Sequence, residues 1–254
     1  MYPTTIDERW SRSTQGIVGA ALREASARSG MDFGYLLGQA RIESGLNPTA
    51  EAGTSSATGL FQFTEQTWLA TVKKHGASYG LDWAAAAIRQ DARGRYHVAD
   101  GAMRRAVLDL RKDAQASAAM AAEFASDNQQ YLEARLGRPA QSVDLYLAHF
   151  LGPGGAEKFL KAHDVDPSAS AAAFFPAAAR ANRGVFYSRD GTPRSLEEVR
   201  SRFAAKLGDT GAPLPDRPLD RPAAIEMAAR ERPIPTPSAE YARLAYLMLA
   251  RLGG

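Results

Sequence analysis

The stretch from Ala114 to Leu136 constrains the fold more than any other. Met120, Phe124, Tyr131, Leu132 and Leu136 recur at helical spacing, alanines fill many of the positions between them, and Gly137 and Pro139 supply the stop. Alanine is the best helix former, and its small side chain lets neighbouring helices approach closely. This reads as a core helix rather than a cofactor box. Shorter helical patterns recur through the chain. Ser13 or Thr14 caps one that carries Ile17, Val18, Ala21, Leu22 and Ala25 and ends at Gly30. Asp32 caps another, with Phe33, Leu36, Leu37 and Ala40. Thr64 caps a third, with Glu65, Trp68, Leu69 and Val72, closed by Gly76. Others are expected over Ala84–Gln90, after Ser142 (Val143, Tyr146, Leu147, Phe150), over Ala156–Ala162 and from Ser195 to Leu207. The prediction is an all-α fold.

The organisation expected is a flexible polar N-terminus over 1–13, one helical domain over 14–208, and a C-terminal region over 209–254. Residues 211–237 are rich in proline, with interspersed Asp and Arg, which reads as a linker or wrapping arm. A short helix fits 222–231, and an apolar one fits Ala239–Leu252, with Leu244, Leu247, Met248 and Leu252. That last helix either docks back on the domain or binds a partner.

Composition excludes several classes. There is no cysteine, so disulfides, thiolate nucleophiles and Cys-liganded metals are out. The four histidines show no ligand-like spacing, and neither metal nor other cofactor is expected. No run of apolar residues is long enough for a membrane span, and no secretory signal is visible at the start. The net charge of +3 suits an anionic polymer but is too weak to argue for nucleic acid.

The residues with chemistry in them lie at Glu43-Ser44-Gly45 and, sixteen positions after Glu43, at Gly59-Leu60-Phe61-Gln62. Glu43 falls seven positions after Leu36 and so returns to the same apolar stripe, and Gly45 stops the helix just beyond it. A carboxyl on an apolar face is costly to ionise, so its pKa should rise, which is what a general acid near neutral pH requires. The plain alternative is a surface Glu at a frayed helix end. The loop over 49–58 is small and polar, either open to a sugar chain or an ordinary connection. Gln62 has an amide able to donate to and accept from an acetamido group, or to satisfy its own loop. Trp68 reads as core before sugar platform. Arg89, Arg93, Arg95, Arg104, Arg105 and Arg111 read as a solvated flank before a groove lining. Gly152-Pro153-Gly154-Gly155 lacks the Lys-Ser/Thr ending of a phosphate loop.

These motifs, with Ala148-His149-Phe150-Leu151-Gly152, resemble the three ordered motifs of the lytic transglycosylases of goose-type lysozyme-like (SLT) fold: Glu-Ser, Gly-Leu-Met-Gln and Ala-Tyr-Asn-Ala-Gly. Phe61 stands where the family has Met, and His149-Phe150 stand where it has Tyr-Asn. The resemblance covers roughly 15–190. It implies a periplasmic or envelope enzyme acting on peptidoglycan glycan strands, with Glu43 as single acid and base. The substrate's 2-acetamido group would assist, and the product would be a 1,6-anhydro ring. Ser44, Gly59, Leu60, Phe61 and Gln62 would position the sugar. His149 either donates in place of the Tyr or is a core histidine. Phe150 cannot make the hydrogen bond expected of the Asn, and Tyr187 is a candidate to donate its hydroxyl to Glu43. Two alternatives stand beside this reading: a muramidase that admits water, and a weakly catalytic wall-binding scaffold of a secretion or flagellar apparatus that meets an envelope partner through its C-terminal region.

Overall fold

A computed structural model describes residues 6–53 and 55–208, with side chains placed from Thr14 onward. The expected helices at 222–231 and 239–252 lie outside the described residues. Over the described residues the protein is all-α apart from one two-stranded ribbon. In order it has α1 (Ile6–Ser29), α2 (Phe33–Ser44), α3 (Glu65–His75), α4 (Asp82–Ala87), β1 (Arg89–Gln90), β2 (Tyr96–His97), α5 (Gly101–Asp109), α6 (Ala114–Leu136), α7 (Ser142–Leu151), α8 (Pro153–Val165), α9 (Ala171–Phe174), α10 (Pro176–Ala181), α11 (Arg183–Phe186) and α12 (Leu196–Leu207). Strands β1 and β2 are antiparallel, pairing Arg89 with His97 and Gln90 with Tyr96.

Helix α6 is the central spar. Asp113 caps it by accepting from the Ala116 amide, Gly137 closes it in the left-handed region, and twelve of its residues are buried. Seven of those twelve are alanines, so α1 lies close along it, and α2, α3, α7 and α8 pack around the rest. One continuous core runs from Val18 on α1 to Leu207 on α12. Trp68 belongs to it: fully buried, its indole N–H donates to the Val107 carbonyl at 2.8 Å. That contact suits a large ring whose one polar atom must find a partner.

Several boundaries differ from expectation. Helix α1 begins at Ile6, not after Ser13 or Thr14. A Ser or Thr is a weak stop signal when good helix formers flank it on both sides. The helix expected over Ala84–Gln90 ends at Ala87, because Arg89 and Gln90 find ladder partners in β2. Ser142 is the first residue of α7 rather than its cap. The preceding Gln141 occupies the cap position, and the Asp144 carboxylate reaches back to the Gln141 amide at 3.0 Å. Helix α8 starts at Pro153, three residues early, since a proline is well suited to a first helical position. Arg111 is no solvated flank. Its buried guanidinium donates to the carbonyls of Leu108, Ser56 (2.7 Å) and Phe63 (3.1 Å), clamping the loop that precedes α3.

Candidate functional site

Glu43 is positioned by a helix whose ends match the sequence. Asp32 caps α2 through the Tyr35 amide at 2.7 Å, and Gly45 closes it at φ 62°. Leu36 and Ala40, which share the Glu43 stripe, are fully buried. The carboxyl is carried inward with them and its side chain is 0% exposed.

The loop after α2 folds back on the helix end. The Ser44 hydroxyl donates to the Leu60 carbonyl at 2.8 Å, tying the end of α2 to the Gly59–Gln62 turn. The Gly59 amide donates to the Ala50 carbonyl, and Thr58 bridges both Glu51 and Phe63. Gly59 sits at φ 86°, and a Cβ there would fall 1.8 Å from the Arg111 carbonyl oxygen, so only glycine fits. Leu46 (φ 67°) and Gln62 (φ 48°) hold left-handed backbone without being glycine. Such strain persists only where surrounding contacts over-determine it, and here it brackets the loop beside Glu43.

Four side chains face the carboxyl from three helices. His149 on α7 places Nε2 3.0 Å from Glu43 Oε1. The contact lies within ion-pair range, yet its angles miss a hydrogen bond, and both carboxyl oxygens and Nε2 are buried without a hydrogen-bond partner. Burial pushes the Glu43 carboxyl above its ordinary range. His149 and, more weakly, Lys206 on α12 pull it back only in part. Tyr35 on α2 and Tyr146 on α7 are buried. Burial first, and then the Glu43 charge, holds both phenols well above their usual value. Burial lowers the Lys206 amine, and nearby Arg202 lowers it further, with Glu43 opposing. The cluster therefore favours the neutral form of the carboxyl and sets the His149 ring against it.

The other predicted residues divide. Ser44 and Gly59 join the site as structural ties. Leu60 and Phe61 bury their side chains in the core, and the Leu60 carbonyl is taken by Ser44. The Gln62 amide donates to the carbonyls of Ala50 (3.1 Å) and Gly59 (2.9 Å), so both its N–H groups serve its own loop and only its oxygen is left for a sugar. His149 stands at Glu43. Phe150 is core, stacked with Phe186 at 6.3 Å and edge-on to Phe203 at 5.0 Å. Tyr187 does not donate to Glu43. Its ring lies under the Arg183 guanidinium at 4.8 Å and its backbone bridges Pro193, while its neighbour Phe186 takes the inward position. The tyrosines that do meet Glu43 are Tyr35 and Tyr146. The second was legible: it precedes His149 by three, so the two share a helix face. Lys206 carried no signal, since only tertiary packing brings α12 to α2. Glu51 and Glu65, close in sequence, pair instead with Lys112 and Arg104. A cavity of about 310 Å³ lies elsewhere, between α1, Tyr79, Leu81 and the start of α6. Among the described residues no three His, Asp or Glu side chains converge to hold a metal ion, and no helix is long and apolar enough to cross a membrane. No known protein-family model matches the chain.

Proposed function

We propose that this chain is a peptidoglycan lytic transglycosylase with a goose-type lysozyme-like fold, working at the cell envelope. It would cut the β-1,4 bond between N-acetylmuramic acid and N-acetylglucosamine. The observation that carries the reading is the Glu43 carboxyl. It is buried, raised in pKa and held at the end of α2 against the Gly59–Gln62 turn by the Ser44–Leu60 hydrogen bond. A neutral carboxyl is the form a general acid needs.

Glu43 protonates the glycosidic oxygen as the bond to the muramic acid anomeric carbon breaks. The 2-acetamido group stabilises that carbon, which removes the need for a second carboxylate. The C6 hydroxyl of the same sugar then closes on it, leaving a 1,6-anhydro ring, and Glu43 recovers a proton. The carboxyl is covered in the resting protein, and His149, 13% exposed, is part of that cover. A strand therefore gains access as side chains there move aside. Glu43→Gln should abolish release of soluble fragments from purified sacculi without loss of helicity. The wild-type product should be lighter than a hydrolytic one by one water in mass spectra. A folded Gln variant that still cleaves would remove Glu43 from the acid role.

The complete covering of Glu43 is also the observation that favours the second reading, a wall-binding scaffold of weak activity. Retention of the protein on sacculi with no soluble product would select it.

A further inference from the structure

We propose that His149 is the base of the site: its Nε2 takes the proton from the attacking C6 hydroxyl and returns it to Glu43. This rests on the glycan-cleaving reading above and adds to it a second proton-carrying group. The geometry is the 3.0 Å approach of Nε2 to Glu43 Oε1, between residues on two helices rather than on loops. Neither atom has a hydrogen-bond partner, although both are buried. Unpartnered buried polar atoms are rare and call for a reason. Here two of them face one another, one able to give a proton and the other able to take it.

The surroundings favour one proton on the pair. Two protons would leave a buried imidazolium facing a neutral acid, with the Lys206 amine nearby on α12. None would leave a buried carboxylate dependent on the ring's single N–H for a donor. Tyr35 and Tyr146, the other titratable groups near the pair, stay protonated and do not serve as the base. The His149 side chain is 13% exposed against 0% for Glu43, although Nε2 itself is covered.

The cycle balances. The pair begins with its proton on Glu43 and a neutral imidazole. Glu43 gives the proton to the glycosidic oxygen, and the N-acetylglucosamine side leaves as an alcohol while the acetamido oxygen bonds to the anomeric carbon. The C6 oxygen displaces the acetamido group, and its proton passes to His149 Nε2. The imidazolium returns that proton to the Glu43 carboxylate, and the starting state is restored.

The test uses purified glycan strands and the full chain, comparing wild type, Glu43→Gln, His149→Gln and His149→Ala. His149→Gln should lose roughly 10²–10⁴-fold in kcat, the usual share of a general base, with little change in KM or melting temperature. The wild-type rate should fall as pH drops and the imidazole protonates, and that acid limb should vanish in His149→Gln. Added imidazole should restore rate to His149→Ala. Near wild-type rates in both His149 variants, or slow variants that keep the acid limb and ignore imidazole, would overturn the base while leaving the Glu43 reading intact. A wild-type protein that cleaves nothing would bring down both. Should the variants fail to fold, NMR of the His149 ring decides. The pH response of the ring should differ between wild type and Glu43→Gln if the two groups share a proton. Identical curves in the two proteins would overturn the pairing.

Discussion

Replacing Glu43 with Gln should stabilise the protein, and by an amount that depends on pH. The carboxyl is fully covered, with neither oxygen hydrogen-bonded. Leaving a buried polar group unsatisfied costs about 1–3 kcal/mol, and more if it is charged. The pH dependence follows from linkage. Burial raises the folded-state pKa above the ordinary 4.5. At acid pH, below both values, Glu43 is neutral whether folded or not, and the native fold carries no charge penalty. As pH rises past the unfolded value, the unfolded chain ionises first, and the folded state is disfavoured progressively until pH passes the folded value. Gln has no proton to lose and escapes this penalty. The His149 and Lys206 charges reduce the effect without reversing its direction. The gain of Glu43→Gln should be smallest near about pH 4 and grow toward about pH 8, by about 1.4 kcal/mol for each pH unit over which only the unfolded chain is ionised. For a domain of this size each kcal/mol is about 2–4 °C in Tm. Urea unfolding of both proteins at the two pH values measures it. An equal difference at both pH values, or a Gln variant weaker at alkaline pH, would refute the claim that the native fold suppresses this ionisation, and with it the basis for a neutral acid.

Two further substitutions probe the loop that backs Glu43. Gly59→Ala sets a methyl 1.8 Å from the Arg111 carbonyl at φ 86°. Left-handed strain of about 1–2 kcal/mol and overpacking of about 1–3 kcal/mol together predict a loss of roughly 2–5 kcal/mol by urea denaturation, and a loss below about 1 kcal/mol would show that the Arg111 backbone yields freely. Arg111→Met removes the donors that hold the Ser56 and Phe63 carbonyls. It should destabilise by about 1–3 kcal/mol and speed amide exchange across residues 56–63 ahead of the rest of the domain; uniform exchange would mean that the clamp is not local.

The helices that frame the site could be read without a structure wherever the signal is local. Asp32 and Gly45 mark the ends of α2, Thr64 opens α3, and the Ala-rich pattern from 114 to 136 is α6 residue for residue. Caps, stops and a repeat near 3.6 residues act within a turn or two, so the chain states them directly. Leu36 and Ala40 similarly put Glu43 on the apolar stripe, and the fold decided between a buried acid and a surface Glu at a frayed end. Partner choice was not legible. Gln62 was ambiguous between a sugar and its own loop because an amide bonds whatever lies within 3 Å or so, and only the fold puts the carbonyls of Ala50 and Gly59 there.

The helical fold and the apolar stripe that carries one glutamate were therefore written in the chain itself, through spacing and capping that depend on near neighbours. Which groups meet that glutamate was decided by tertiary packing: His149, Tyr146 and Lys206 come from helices more than a hundred residues away in sequence. Arg111, which reads as one of a string of surface cations, became the clamp of the neighbouring loop for the same reason. Electrostatics and hydrogen bonding act over a few ångströms of space, and no pattern along the chain encodes which distant side chains will share that space.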